Sequence, residues 1–329
     1  MALSVLLFAG YVCAYYLQIG KPVIAEWWLK NTLEKKEIIS ESTTGPRIVI
    51  ISGSNSLFGI SGDVMERKTG MKVVNLALHA NLDIDYLVYV LRRNIKKGDI
   101  VIAPLEYEYY RRDETPTTWF ITNMLAWGGD YVRTRNVFEQ ARLLSFTSKD
   151  RVIEGLITGG PNKYAPYDEV KAMPPASDYS YRPYLYTSLD KYGSMQMPYY
   201  DQGILVRMEM LQDKYRGTLS YGKTDLSFTD YARDGIMAMK GITEAAGGKF
   251  YGTWPASINS QFFNKDDKQA KIFSQNIKEK MAALHIRMLC DPFYANLDFK
   301  MFTDTMYHLN RTGSMIRSER LALCLSKAE

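Results

Sequence analysis

Cysteine and histidine are scarce in this chain of 329 residues, which contains three of each. The cysteines are Cys13, Cys290 and Cys324. They lie in apolar contexts without metal-ligand spacing, so we expect neither a disulfide framework nor a zinc site. Lysine and arginine are scattered, and the net charge of +5 comes without a basic run, so nothing indicates a nucleic-acid partner. The sequence also lacks internal repeats and low-complexity tracts.

The N-terminus is apolar over residues 2–17 but lacks the basic leader and small-residue cleavage site of a secretory signal peptide. A full membrane span needs about 20 apolar residues. We predict an uncleaved transmembrane anchor over residues 1–20 and a stalk helix over 21–45, with Trp27 and Trp28 near the membrane interface. A buried N-terminal helix in a soluble protein is the alternative.

Residues 46–329 read as an α/β domain, because apolar strand-like segments alternate with helical periodicity. The strand-like segments are RIVII, KVVNLAL, DIVIAPLEY, KFYGTWPAS and IRMLCDP. Their near-continuous apolar character predicts a central parallel sheet that is covered on both faces. The alternation is interrupted by an insertion at about 110–225, which is helical at first and rich in tyrosine and proline over 159–200. These aromatic residues fit a sugar-binding surface, or they pin an irregular loop onto the domain.

Three serines follow the first strand, in the stretch RIVIISGSNSLFGISG of residues 47–62. Ligands of an open parallel sheet bind beyond the carboxyl ends of its strands, so these serines lie where a site is expected. Ser56 stands directly before LFGI, where a helix N-cap belongs. Ser52 reads as the last residue of the strand. Ser54 follows Gly53, which permits a tight turn, and is the best-placed nucleophile.

A serine nucleophile needs a base, and the base needs an orienting group. His285 lies at the end of an amphipathic helix, so we interpret it as a structural residue. His308 lies in MFTDTMYHLNRTG, with Asp304 four residues before it. That carboxylate can bind the imidazole Nδ1 and leave Nε2 for the serine. The spacing is common by itself, but it gains weight beside a serine turn that follows the first strand.

The segments ISGSNSLFGI and FTDTMYHLNRTG resemble the first and last sequence blocks of the SGNH (GDSL-like) hydrolase superfamily. They are most similar to its membrane-anchored branch associated with exopolysaccharide O-acetylation, which includes alginate acetylation proteins and the D-alanyl transfer protein of teichoic acid synthesis. The resemblance covers roughly residues 45–110 and 225–329. It implies a flavodoxin-like three-layer SGNH-type fold in which Ser54 is the nucleophile, His308 the base and Asp304 its orienting carboxylate.

The chain departs from that family pattern at three places. One extra residue separates the acid from the base, and the usual glycine of the second block is Ala77. The Gly-x-Asn of the third block is missing from APLEYEYY, so Ala77, Asn75 and His79 are our candidates for oxyanion or substrate contacts. Glu106 in that segment borders the site, and a solvated acidic residue is its more ordinary interpretation.

The resemblance implies an extracytoplasmic O-acyltransferase, transferring an acetyl group through an acyl-serine to a polysaccharide hydroxyl. Its implied partner is a multi-spanning membrane O-acyltransferase, and its implied location is the cytoplasmic (inner) membrane, with the catalytic domain periplasmic or extracellular. No cofactor and no metal are expected. Two alternatives stay open: a carbohydrate acetylesterase with the same residues, and a non-catalytic scaffold of a polysaccharide modification complex.

Overall fold

A computed structural model describes residues 2–157, 185–197, 218–225 and 227–329 of the chain. The strands in these residues are β1 (Arg47–Ile50), β2 (Lys72–Asn75), β3 (Ile100–Ala103), β4 (Lys249–Gly252), β5 (Ser257–Ile258), β6 (Arg287–Met288) and β7 (Asn296–Leu297). The helices are α1 (Ala2–Leu17), α2 (Trp27–Ser42), α3 (Ser54–Gly59), α4 (Gly62–Thr69), α5 (Ile84–Asn94), α6 (Thr118–Ala126), α7 (Gly129–Thr134), α8 (Val137–Phe146), α9 (Lys149–Ile157), α10 (Asp230–Ala245), α11 (Lys268–Ala283) and α12 (Arg311–Ser326). Most of the tyrosine- and proline-rich segment 159–200 lies outside the described residues.

Within the described residues, five strands form a central sheet in the order β2-β1-β3-β4-β6, and every neighbouring pair is parallel. The predicted parallel sheet is therefore confirmed. All residues of β1 and β3 are buried, as expected for central strands that are covered on both faces. Helices α3 and α4 pack with α12, and α5 packs with α10, which is consistent with a three-layer α/β arrangement. β5 and β7 form a separate parallel pair.

The segment between β1 and β2 forms two short helices, α3 and α4. α3 ends because Ile60 and Ser61 are extended, and the hydroxyl of Ser61 then caps α4 by accepting from the backbone N–H of Val64. Gly70 ends α4 in the left-handed conformation, with φ of 71°, which a glycine adopts without steric cost. Both helices lie between β1 and β2, so the alternation of strands and helices is preserved.

The amino ends of the central strands are tied together by a buried ion pair between Arg47 and Asp99. The guanidinium donates to both carboxylate oxygens, at 3.1 and 2.6 Å, and both side chains are fully buried. Its remaining donors bind the carbonyls of Ser40, in α2, and Asn94, in α5. The end of α2 is thereby fixed to the sheet at the edge opposite the serine turn.

Cys290 and Cys324 form a disulfide, so our expectation that the chain lacks one was wrong. The two residues are 34 positions apart, which hides the pairing in the sequence. The fold brings the segment after β6 beside α12, with a Cα–Cα distance of 5.3 Å, within the range that a disulfide spans. Cys13 is free and exposed.

The chain divides into two compact units. One contains the described residues 2–32 and 114–157, and the other contains 33–113 and the described residues from 185 onward. The central sheet and every candidate site residue belong to the second unit. Within the segment 21–45, for which we predicted a stalk helix, α2 extends from Trp27 to Ser42. Among the described residues, we find no helix with the length and apolar character needed to cross a membrane.

Candidate active site

The turn after β1 places Ser54 at the start of α3. Gly53 is the N-cap residue, and no side chain caps this helix, so the prediction of Ser56 as its cap was wrong. The Ser56 hydroxyl instead donates to the side-chain oxygen of Asn55 at 3.2 Å, and the buried Ser52 hydroxyl donates to the Gly53 carbonyl. The hydroxyl of Ser54 forms no hydrogen bond with any described residue. It is therefore the serine of the three whose oxygen is available.

Position 53 requires a glycine because neighbouring atoms leave no room for a Cβ, and not because its backbone conformation is unusual. Its φ is −81°, a value that any residue can adopt. A Cβ at this position would lie 2.5 Å from a Glu106 carboxylate oxygen and 2.6 Å from the Cα of Ala80. The glycine thus lets the serine turn sit directly against the loop after β2 and the segment after β3.

The loop before α12 holds His308 and Asp304 as a hydrogen-bonded pair. The His308 Nδ1 and an Asp304 carboxylate oxygen are 2.8 Å apart. Thr303 supports both partners, because its hydroxyl donates to Asp304 at 3.0 Å and its backbone N–H donates to the His308 carbonyl at 2.9 Å. Asp304 is 40% exposed, whereas His308 is 7% exposed. An Nδ1–carboxylate contact orients the ring and leaves Nε2 for a proton transfer.

His308 lies against the helix that begins with Ser54. Its ring centroid is 4.3 Å from that of Phe58 in α3. Phe58 is four residues after Ser54, and residues four apart share one face of a helix. The structure therefore brings the imidazole to the same face of α3 as the serine. No hydrogen bond joins the two side chains in the described residues, and such contacts are often long in the absence of substrate.

Asn75 and Ala77 already have partners inside the protein. The Asn75 amide nitrogen donates to the Ser56 carbonyl at 2.8 Å and to the Ser194 hydroxyl at 3.0 Å. Its amide oxygen accepts from the backbone N–H of Ala77 at 3.0 Å. Both amide hydrogens of Asn75 and the Ala77 N–H are thus engaged. This arrangement gives the two residues a role in holding the end of β2 and does not favour them as oxyanion donors.

His79 is held with its proton on Nε2. Its Nδ1 accepts from the backbone N–H of Asn81 at 3.0 Å, which leaves Nε2 to carry the hydrogen. Burial, together with the nearby His308 and Arg112, lowers the pKa of His79 to about 4. His79 is therefore a neutral ring close to His308. The backbone N–H groups of Ser54 and Ala80 donate to no other described residue.

Glu106 and Arg317 flank the serine turn, and the sequence interpretation did not identify either role. Glu106 is fully buried, so its interpretation as a solvated acidic residue was wrong. Its two carboxylate oxygens accept from the backbone N–H groups of Gly53 and Asn55. The buried Arg317 guanidinium donates to the Asn55 carbonyl at 2.9 Å and to its side-chain oxygen at 2.8 Å. The sequence feature that could have indicated the buried position of Glu106 is its place at the end of a buried strand.

Lys36, in the predicted stalk, is also fully buried. Its ammonium group donates to the carbonyls of Asn75, Ala77 and Gly193, at 2.8, 2.6 and 2.7 Å. Burial lowers its pKa well below the usual lysine range, while the nearby Asp190 opposes this shift. The second half of α2 thus supports the carboxyl end of β2, which lies next to the serine turn.

The described residues contain no group of three or more His, Cys, Asp or Glu side chains placed to hold a metal ion. No family model matches the chain, and no curated protein is significantly similar to it.

Proposed function

We propose that this protein is an extracytoplasmic O-acyltransferase with a flavodoxin-like, SGNH-type catalytic domain. Ser54 carries the acyl group, His308 transfers the proton and Asp304 orients His308. The observation that carries the proposal is the Asp304–His308 pair, whose ring packs on Phe58 one helical turn after Ser54. The order of the central strands supports it, since it equals the flavodoxin-like order 2-1-3-4-5 when the sheet strands are counted alone.

The chemistry follows from these positions. His308 Nε2 accepts the hydroxyl proton as the Ser54 oxygen attacks the acyl carbonyl, and the leaving group of the donor then takes that proton. The resulting acyl-serine is attacked by a polysaccharide hydroxyl, whose proton passes to His308 and returns to Ser54. The backbone N–H groups of Ser54 and Ala80 are available donors for the oxyanion, and the neutral ring of His79 lies near His308. A multi-spanning membrane O-acyltransferase is the proposed source of the acyl group.

Two features support a location at the outer face of the membrane. Disulfides persist in oxidising compartments, and Cys290–Cys324 is one. Apolar side chains of α1 are exposed on successive positions around the helix, with Leu3, Leu6 and Leu7 each at least 67% exposed. A helix that is apolar on all sides is suited to a lipid environment, in line with the proposed anchor over residues 1–20.

A carbohydrate acetylesterase is the second candidate, because it would form the same acyl-serine and release it to water. The 40% exposure of Asp304 favours the esterase, since water reaches the loop that holds His308.

A non-catalytic scaffold is the third candidate. The internal hydrogen bonds of Asn75 and Ala77 favour it, because they occupy two groups that could have served as oxyanion donors.

The test uses the full chain in detergent micelles, since truncation near residue 38 would remove Lys36 from beneath the site. We would add 4-nitrophenyl acetate, follow ester turnover and record the intact mass. Turnover or an acetyl adduct is expected in the parent protein and in Ser56→Ala, whose hydroxyl is turned inward. Both signals should vanish in Ser54→Ala and weaken strongly in His308→Ala. Activity that persists in Ser54→Ala refutes the assigned nucleophile, and a parent protein without adduct or turnover favours the scaffold.

Transfer and hydrolysis are then separated by the acceptor. The acetylated parent protein would be mixed with deacetylated polysaccharides, and acetyl esters on the glycan would be compared with free acetate. An acyltransferase should shift acetyl groups to the glycan in a concentration-dependent manner. Release as acetate alone at every acceptor concentration supports the esterase.

A further inference from the structure

Glu106 is a buried carboxylate without a cationic partner among the described residues. It lies three positions after the end of β3 and is fully buried. It forms no ion pair with any described lysine or arginine, although burial without a cation is costly for a carboxylate. Both of its oxygens accept from backbone groups: Oε2 from the Gly53 N–H at 3.1 Å and Oε1 from the Asn55 N–H at 2.9 Å. The two donors belong to the residues on either side of Ser54.

This arrangement divides the N–H groups of the serine turn into two sets. Those of Gly53 and Asn55 point inward to the carboxylate, while that of Ser54 donates to no described residue. The glycine is part of the same contact, because a Cβ on Gly53 would lie 2.5 Å from Oε1 and 2.8 Å from Oε2 of Glu106. The carboxylate therefore fixes the turn from both sides of the nucleophile.

Arg317 completes the fixation from the other side of Asn55. Its guanidinium donates to the Asn55 carbonyl and to the Asn55 side-chain oxygen. It also binds the Trp254 carbonyl and the Tyr294 hydroxyl. Glu106 thus binds the N–H of Asn55 while Arg317 binds its C=O, and the two buried side chains stabilise the turn jointly. Burial raises the pKa of Glu106, and its hydrogen bonds with Asn55 oppose that shift.

We infer that Glu106 is a positioning residue of the acyl-transfer site, which keeps the N–H of Ser54 directed at the acyl carbonyl by binding the N–H groups of its two neighbours. This inference rests on the proposed function. Donors aimed at a developing oxyanion act mainly in the transition state, so their misalignment lowers kcat more than it raises KM. Glu106 itself touches no reacting atom.

The first test is Glu106→Gln, which nearly preserves the shape of the side chain. An amide has one acceptor oxygen, so one of the two backbone N–H groups would face an NH₂ donor. We expect kcat for 4-nitrophenyl acetate to fall about 100-fold, the size of effect that a small misplacement produces, with KM changed less than about threefold. The full chain is used, and its melting temperature is recorded beside the kinetics.

Asp99→Asn is the matched control, at the opposite end of β3. Asp99 is equally buried, and its two oxygens accept from the backbone N–H groups of Arg47 and Lys96, besides pairing with the Arg47 guanidinium. This variant should lose stability as much as Glu106→Gln or more, yet retain kcat when assayed below its melting temperature. An equal loss of kcat in both variants at matched stability would show that Glu106 acts only on folding, which overturns the inference.

Two further variants test the role of Glu106 if Glu106→Gln does not fold. Gly53→Ala places a methyl group against the Glu106 carboxyl group and the Cα of Ala80, and Glu106→Asp retains the carboxyl group but shortens the reach by one methylene. Both should lower kcat with little effect on KM, and unchanged kcat in either overturns the inference. Failure of the proposed function looks different, because the parent protein would then show no turnover that depends on Ser54.

Discussion

Lys36→Met removes a buried positive charge from the second half of α2 while keeping a side chain of similar length. The ammonium group donates to three carbonyl oxygens, of Asn75, Ala77 and Gly193, at 2.6 to 2.8 Å. Methionine fills the same space but offers no donor, so the three carbonyls lose their lysine partner. These carbonyls lie at the carboxyl end of β2 and in the segment beside it, so the substitution tests what fixes that edge of the sheet.

The size of the effect follows from two opposing contributions. A hydrogen bond from a charged donor contributes about 2 kcal/mol, so three of them stabilise the fold by roughly 6 kcal/mol. Burial of the ammonium group costs several kcal/mol, and this cost disappears in the variant. With a burial cost of about 3 kcal/mol, the net loss in the free energy of unfolding is about 3 kcal/mol. For a unit of this size that corresponds to a fall in Tm of about 6–12 °C.

Scanning calorimetry of the full chain in detergent gives the result directly. Lys35→Met is the matched control, because Lys35 is the neighbouring residue of the same helix, carries the same charge and is partly exposed. Its Tm should stay within about 2 °C of the parent value, as for most surface substitutions. A Lys36→Met variant that melts within the same 2 °C would refute the reasoning. It would mean that the three hydrogen bonds only offset the burial of the charge.

Three further outcomes follow from the same structure. Arg317→Lys cannot reproduce the four hydrogen bonds of the guanidinium and should cost about 3 kcal/mol in denaturant unfolding; a cost below about 1 kcal/mol contradicts its role. The folded protein holds the pKa of His79 at about 4, against 6.5 in the unfolded chain, so the unfolded state binds a proton first as the pH falls. Stability should then decline by up to about 3 kcal/mol between pH 6.5 and 4; His79→Gln should flatten this decline, and an undiminished decline in that variant contradicts the prediction. Reduction of Cys290–Cys324 should lower the free energy of unfolding by about 3–4 kcal/mol, read from the denaturant midpoint with and without reductant; an unchanged midpoint contradicts it.

The sequence predicted the parallel sheet and indicated a serine turn after its first strand, because both depend on local patterns. Continuous apolar runs such as RIVII and IVIA can be read without knowing their neighbours, and they became β1 and β3. The pair of Asp304 and His308 is also local, since four residues on one loop suffice for a hydrogen bond. The end of α4 at Gly70 follows from the conformational freedom of glycine.

The surroundings of Ser54 depend instead on contacts between distant parts of the chain. Glu106 reads as a solvated carboxylate in the sequence, and only the pairing of β1 with β3 brings it under the serine turn. Arg317 comes from the last helix, more than 260 residues after Asn55. Lys36 reads as part of a charged stalk until the edge of β2 supplies carbonyls for it.

By itself, the sequence determined the alternation of strands and helices, the position of the serine turn after a buried strand, and the local pairing of Asp304 with His308. The tertiary structure decided which hydrogen-bond donors are occupied, which charges are buried and which cysteines meet. The physical reason is that backbone propensity and hydrophobic period act over a few residues. Desolvation and hydrogen-bond partnership, in contrast, depend on every segment that packs against a group. Asn75 is the clearest case, because its amide is an available donor in the sequence and a fully engaged one in the fold.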